Sequence, residues 1–314
     1  MSDEKFMTKV FIDGSAGTTG LRIHERLSER RDIELITLTD ELRKDANARR
    51  DALNNSDIAF LCLPDDAARE SASLVENPDT AIIDTSTAHR VNDAWVYGLP
   101  ELEGQRDKII NSKRVANPGC HATGFILLAA PLVQRGIIRA DERLSCFSLT
   151  GYSGGGKKMI AEYESPERNK LLDAPRQYGI SQKHKHLPEM QKLCGLVHAP
   201  VFCPIVCDYY AGMEVTVTLH DANIADIKKV YRDYYASSKL VSFTDSDSFS
   251  EGAFVSAGAF AGLDDLEITV YGNDERVLLV SRFDNLGKGA SGAAIQNMNL
   301  IMQIDETTGL KFRG

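Results

Sequence analysis

The chain predicts an α/β protein: a doubly wound parallel sheet, followed by a second α+β domain with a mixed or antiparallel sheet. Three observations carry this expectation. The 314 residues are more than one ordinary core accommodates, so two domains are expected. In the first part, short apolar runs alternate with helical stretches, the rhythm of parallel strands joined by crossover helices. From about residue 143 the runs lengthen and alternate in part, as strands do in a sheet with unlike faces.

Val10-Phe11-Ile12 reads as the first strand, ending at Asp13, and Gly14-Ser15-Ala16-Gly17-Thr18-Thr19-Gly20 follows at once. An amphipathic helix comes next, with Leu21, Ile23 and Leu27 on one face. Residues 33–38 read as a second strand and 41–53 as a charged helix. Residues 58–63 form a third strand, stopped by Pro64; a helix near 66–74 and a fourth strand at 81–84 follow. This pattern defines a dinucleotide-binding domain over residues 1–118. Residues 119–285 read as a catalytic and oligomerisation domain, with strands at 144–150, 201–207, 213–219, 266–271 and 277–283 and a helix at 224–235 across them. The segment 289–302 is a helix rich in small residues. Residues 286–314 are expected to return to the first domain, because small side chains let backbones approach closely.

Composition narrows the function. Apolar content of 43% and charged content of 26% are those of a soluble globular chain. A net charge of -9 speaks against nucleic acid or a membrane surface, both of which need a basic patch. Met1 to Met7 lack the apolar core of an export signal, and no stretch approaches the ~20 apolar residues of a membrane span. The apolar run from Phe125 to Val133 has the length of a buried helix. Six cysteines, at 62, 120, 146, 194, 203 and 207, form no CxxC pair, and read as reduced thiols in the cytoplasm.

The glycines at 14, 17 and 20 lie where a strand turns into a helix, which marks a Rossmann-type phosphate cradle. A helix start offers N–H donors and partial positive charge to a pyrophosphate, and glycine lets the backbone approach it. Asp40, at the end of the second strand, would bind a ribose 2′-OH and favour NAD. Arg43, Lys44, Arg49 and Arg50 would instead hold a 2′-phosphate, with Thr37 and Thr39 as further donors. These residues leave the choice between NAD and NADP open.

In Asn117-Pro118-Gly119-Cys120, Pro and Gly break structure just before the thiol, placing Cys120 in the first turn of the apolar helix. There the dipole and N–H groups favour a thiolate, and the same N–H groups suit an oxyanion. His184-Lys185-His186-Leu187-Pro188-Glu189 gathers two imidazoles and a carboxylate that could orient one of them. HxH with scattered cysteines lacks the spacing of a metal site, and none is expected. Ser153-Gly154-Gly155-Gly156-Lys157-Lys158 follows a strand and carries two cations, so it is a candidate anion binder; Leu286-Gly287-Lys288-Gly289 is a further glycine-rich loop.

Together these motifs resemble one family. Val115-Ala116-Asn117-Pro118-Gly119-Cys120 with Thr123-Gly124, Tyr97-Gly98-Leu99-Pro100-Glu101, the HKHLPE cluster and Asp284-Asn285-Leu286-Gly287-Lys288-Gly289-Ala290 are similar to the N-acetyl-gamma-glutamyl-phosphate reductases, in their shorter form. The order of elements also resembles aspartate semialdehyde dehydrogenases and, more loosely, glyceraldehyde phosphate dehydrogenases. The resemblance implies NADP as cofactor, an acyl-phosphate substrate in arginine biosynthesis, and a cytoplasmic homo-oligomer, a tetramer or dimer. It assigns Cys120 as nucleophile and His186 with Glu189 as the acid–base pair. Cofactor contacts are expected from Gly14 to Gly20, Thr39, Arg43, Ser86, Gln296 and Asn297. Substrate contacts are expected from Asn117, Gly154, Lys157, Lys158, His184 and Arg282. The run Asp84-Thr85-Ser86-Thr87-Ala88-His89-Arg90 matches the family's acid-Ser-x-x-x-Arg pattern only in part, and leaves the role of His89 open. Rival readings are a reductase of aspartyl or aminoadipyl phosphate, and a nicotinamide-sensing regulator, against which the thiol and the HKHLPE cluster count.

Overall fold

The computed structural model describes residues 7–245 and 254–313. Residues 1–6, within the segment read as no export signal, lie outside the described residues, as do 246–253 and 314. The chain divides into two compact units. One holds the residues up to Pro100, Gly104–Pro118 and Ala293–Gly309; the other holds Glu101–Glu103, Gly119–Gly292 and the residues from Leu310 on. Among the described residues, no helix is long and apolar enough to cross a membrane.

The first unit is a six-stranded parallel sheet. Its elements run β1 (Thr8–Asp13), α1 (Thr18–Ser28), β2 (Ile33–Ile36), α2 (Ala46–Asn54), β3 (Ile58–Leu61), α3 (Asp65–Ser73), β4 (Ala81–Asp84), β5 (Val96–Tyr97), α4 (Gln105–Ile110) and β6 (Arg114–Ala116). The strand order β2-β1-β3-β4-β6-β5 confirms the doubly wound sheet. The winding reverses between β1 and β3, and ligands of such sheets bind beyond the carboxyl ends of the strands at that point. Strands β3 and β4 are buried throughout, as parallel strands covered on both faces must be. Phe11, Leu53, Leu61, Ala68 and Ile82 make one of the cores that seal them.

The expected helix over 41–53 is interrupted. Leu42–Lys44 is a single tight turn, and Asp45 then takes an extended conformation and accepts from the Ala48 N–H (2.7 Å). That is an N-cap, so α2 begins afresh at Ala46. The second strand also stops at Ile36, short of the expected 38.

The second unit begins with α5 (Cys120–Gln134), then β7 (Ser145–Gly151), α6 (Gly156–Glu164), β8 (Arg176–Gln177), α7 (Leu187–Cys194), β9 (Val201–Cys207), β10 (Met213–His220), α8 (Ile224–Tyr235), β11 (Val241–Phe243), β12 (Leu266–Asn273) and β13 (Arg276–Phe283). The seven strands form one mixed sheet in the order β11-β12-β13-β10-β7-β9-β8. Helix α5 is buried from His121 to Leu132, and lies on the sheet face that carries Val215, Ser281 and Phe283, all close to Gly124. Tyr231 and Tyr235 of α8 donate to the Leu128 and Leu127 carbonyls of α5 (2.6 Å each). The terminal helix is shorter than the expected 289–302: Gly287–Ser291 is a π-helical turn, and α9 runs Gly292–Ile301.

Candidate active site

The helix that opens with Cys120 is held at its first turn by backbone and by one distant carboxylate. Gly119 is the extended N-cap of α5; no side chain caps it, and Thr123 donates to its carbonyl through both N (2.8 Å) and Oγ1 (3.0 Å). The Gly119 N–H donates to Glu189 Oε2 (3.1 Å). Cys120, half-buried, is the first helical residue, in the position where the dipole favours a thiolate. Burial pushes the Cys62 thiol up to about 12 and raises Cys146, Cys194 and Cys207 as well.

Gly289 abuts Cys120: a Cβ there would lie 2.9 Å from the Cβ of Cys120. The loop that carries it is tied down at several points. Asp284 accepts from the N–H of Leu286 (2.6 Å) and Gly287 (3.2 Å), and Asn285 donates to Ser153 Oγ (3.0 Å) and accepts from Gly212 N (2.9 Å). Lys288, fully buried, pairs with Glu101 at 2.6 Å. The YGLPE and DNLGKGA motifs therefore meet as an ion pair.

Three imidazoles gather in the same unit. His186 is the N-cap of α7, and its Nε2 lies 3.9 Å from Glu189 Oε1, an ion-pair distance too long for a hydrogen bond. Glu189, on the first turn of α7, thus faces His186 with one oxygen and holds the start of α5 with the other. His184 Nδ1 accepts from the His186 N–H (3.2 Å), and the two rings stand 4.7 Å apart. The third ring belongs to His121, 5.5 Å from His186 and 5.9 Å from His184. It lies 2.6 Å from both Ser148 Oγ and Tyr178 Oη. Burial, with His184 beside it, pushes His121 down to about 3, so the ring is neutral. Sequence reasoning missed His121, Ser148 and Tyr178; the only signal was the position of His121 next to Cys120.

The other expected substrate residues fare unequally. Asn117 is buried in the first unit, accepting from Asn297 Nδ2 (3.2 Å). Gly154 packs near the Asn285 amide, while Lys157 and Lys158 are exposed on α6. Arg282 is a correction. Strand alternation puts it on the face away from α5, where Glu267 takes its guanidinium (Nη2 to Oε1 2.6 Å) and Phe260 lies beneath it. The sheet itself separates Arg282 from Cys120.

In the first unit, the turn after β1 fits a dinucleotide. Gly14 has φ of +86°, and a Cβ there would run into the Cys62 carbonyl, so only glycine serves. Helix α1 starts at Thr18 with no side-chain cap, leaving its first N–H groups for an anion, and Thr18 Oγ1 is buried with no hydrogen-bond partner among the described residues. Gly14, Ser15 and Ala16 line a cavity of about 500 Å³ together with Thr37, Leu38, Arg43, Lys44 and Arg49. Gly17, Thr18, Thr19 and Gly20 form the turn and helix start behind it.

Two assignments shift. Thr39 is exposed and outside the cavity lining, where Thr37 stands instead, because the chain leaves the sheet at Ile36. Asp40 is also exposed and pairs with Arg43 (2.9 Å). Arg49 reaches back to Asp13 (2.9 Å), which also accepts from Ser71 Oγ (2.6 Å).

Ser86 donates to Asp84 Oδ2 (2.8 Å), and that oxygen also meets His89 Nδ1 (2.6 Å), whose ring stacks on Trp95. His89 thus pins the loop after β4. On α9, Gln296 donates to Glu306 (2.7 Å) and Asn297 to the Gly98 carbonyl (2.9 Å); Asn297 Oδ1 is buried without a hydrogen-bond partner among the described residues.

Comparison with known proteins agrees with both units. Residues 9–111 match the semialdehyde dehydrogenase NAD binding domain, and residues 120–285 the semialdehyde dehydrogenase dimerisation domain. The chain is 44% identical to N-acetyl-gamma-glutamyl-phosphate reductase 2 of Nostoc sp. strain PCC 7120, over 96% of this chain and 99% of that one. It is 45% identical to N-acetyl-gamma-glutamyl-phosphate reductase of Brucella anthropi, over 94% and 98%. Among solved structures, aspartate semialdehyde dehydrogenase II of Vibrio cholerae, complexed with ASA, shares the fold with a TM-score of 0.71 at 16% identity, over 95% and 98%. Aspartate semialdehyde dehydrogenase of Candida albicans with NADP does so with a TM-score of 0.67 at 15% identity, over 94% and 98%.

Proposed function

The chain belongs to the N-acetyl-gamma-glutamyl-phosphate reductase family of semialdehyde dehydrogenases, and from that membership we propose how its own residues carry the reaction. It is an NADP-dependent reductase that converts N-acetyl-gamma-glutamyl phosphate to N-acetylglutamate semialdehyde and phosphate, in arginine biosynthesis. The observation that carries the residue assignment is Glu189, which joins the imidazole of His186 to the first turn of the Cys120 helix.

The Cys120 thiolate attacks the acyl carbonyl, and the first-turn N–H groups of α5 stabilise the oxyanion. Phosphate leaves, and a thioester remains on Cys120. Gly14, Ser15, Ala16, Arg43 and Lys44 would hold NADPH at the cavity beyond β1, and the nicotinamide would supply the hydride for the thioester carbonyl. His186 lends its proton to the oxygen of the resulting tetrahedral adduct and takes it back as the C–S bond breaks, which releases the aldehyde and restores the thiolate. Glu189 steadies the imidazolium form of His186 during that exchange. His184, whose Nδ1 accepts from the His186 N–H, lies beside His186 and binds substrate. Arg43 and Lys44 bind the 2′-phosphate, with Thr37 in place of Thr39.

The enzyme acts in the cytoplasm as a homo-oligomer. Phe147, Val201 and Leu278 are exposed on the sheet face away from α5, which a second copy would cover. The substrate assignment is tested by phosphate-dependent reduction of NADP with N-acetylglutamate semialdehyde and with aspartate semialdehyde. The first should be strongly preferred; better turnover of the second would overturn the reading.

A further inference from the structure

Ser148, His121 and Tyr178 form a hydrogen-bonded line in the nucleophile's unit that the reaction course above leaves unused. His121 is the second residue of α5, immediately after Cys120, and turns its ring down toward β7, where Ser148 is completely buried. Ser148 Oγ lies 2.6 Å from Nδ1, and Tyr178 Oη lies 2.6 Å from Nε2. The ring is neutral, so it carries one N–H and one lone pair; one hydroxyl must donate to it and the other must accept from it.

Burial decides which. Among the described residues, His121 Nδ1 is the one hydrogen-bond partner of the Ser148 hydroxyl. Were Nδ1 to carry the proton, the Ser148 hydrogen would be shut inside the sheet with no acceptor, which is costly. Ser148 therefore donates to Nδ1, and the imidazole proton sits on Nε2. Nε2–H in turn donates to the Tyr178 oxygen, which leaves the phenol's own hydrogen pointing away from His121. Tyr178 is only half-buried, so that hydrogen can reach an acceptor outside the protein. Burial, and after it the charge of a Cys120 thiolate, hold the phenol above its ordinary pKa, so the hydroxyl lies in the field of the nucleophile and stays protonated.

We infer that Tyr178 donates a hydrogen bond to the substrate oxygen that gains charge when Cys120 attacks, with its proton aimed there by His121 and Ser148. This rests on the reading of Cys120 as nucleophile. Tyr178 is then a catalytic donor, and His121 and Ser148 are positioning residues.

The decisive readout is the tautomer of His121. A long-range ¹H–¹⁵N spectrum of ¹⁵N-histidine-labelled protein, assigned by the signal lost in His121→Gln, should show the neutral Nε2–H form from about pH 5 to 9. An Nδ1–H form, or a charged ring, would overturn the inference. In turnover, Tyr178→Phe should lower kcat by about 10²-fold with KM for NADPH little changed. Ser148→Ala should cost about tenfold in the wild-type background and nothing further in Tyr178→Phe, while Ser148→Thr restores the rate. Equal loss in both backgrounds would mean that Ser148 acts on packing alone, and the relay would be wrong. Retention of activity in Cys120→Ser would instead sink the nucleophile assignment, and would leave the tautomer result standing.

Discussion

The two units build their sites from different material. The anion cradle of the first unit is mostly backbone: seven consecutive residues, Gly14 to Gly20, make the turn and open a helix, and the helix end supplies the donors. The thiol site of the second unit is mostly side chains drawn from far apart in the chain: Cys120 and His121 from α5, Ser148 from β7, Tyr178 from a loop, His186 and Glu189 at the start of α7, and Gly289 from the turn after β13. A backbone site tolerates most side-chain changes outside its glycines. A side-chain site fails one residue at a time. The contrast can be broken, or made sharper, by substitutions of graded effect.

The largest effect should come from Cys120, the proposed nucleophile. Cys120→Ser keeps the size and loses the nucleophilicity, so turnover should fall by on the order of 10⁴-fold or more while NADPH still binds. In the unsubstituted enzyme, limiting iodoacetamide should label Cys120 first, because burial raises four of the other thiols. Activity should disappear in step with labelling of that one residue, and acyl phosphate should protect it.

Next comes His186, the proposed acid–base residue. His186→Asn should lower kcat by a factor of order 10²–10⁴ with cofactor affinity intact. His184→Asn should weaken substrate binding more than kcat. If the two variants exchange these phenotypes, the imidazoles have been assigned in the wrong order.

The cradle should respond more gently. Arg43 and Lys44 line the cavity, while Asp40 is spent on an exposed pair with Arg43. Replacing both cations with Ala should raise KM for NADPH by roughly 10–100-fold, the worth of one or two charge-assisted bonds, and leave KM for NADH nearly unchanged. Equal effects on both cofactors would show that neither cation reads the 2′-phosphate.

The smallest effect is on stability. His121 titrates near 3 in the folded chain and near ~6.5 when unfolded. Below ~6.5 the unfolded chain takes up a proton that the folded chain refuses, so stability falls with decreasing pH until about 3. The slope contributed by this one group is at most about 1.4 kcal/mol per pH unit. Urea midpoints of the wild type at pH 7 and pH 5 should therefore differ by more than those of His121→Gln. Identical differences would place the acid sensitivity elsewhere.

The same contrast explains what was readable in advance. Strands β1, β3 and β4 and the turn after β1 were evident because apolar runs and glycine spacing are local properties. The break at Asp45 was not, since a charged stretch fits helix and cap equally until the Ala48 N–H is seen to turn toward its carboxylate. Arg282 seemed available as a cation, but its alternation in β13 placed it across the sheet from α5, against Glu267. Ser86 reads as a cofactor contact and His89 as a residue whose role stays open, and in the fold both converge on one buried carboxylate, that of Asp84.

By itself, the sequence determined the doubly wound sheet, the phosphate turn, the thiol at a helix start and the family, since each depends on residues that are neighbours or nearly so. The tertiary structure decided which groups stand around that thiol. Glu189 lies 69 positions after Cys120, yet grips the N–H of the residue before it, and His121, Ser148 and Tyr178 close into one line only once α5 packs against β7. A hydrogen bond requires angstrom-scale placement, and between segments so far apart only the packed core supplies it.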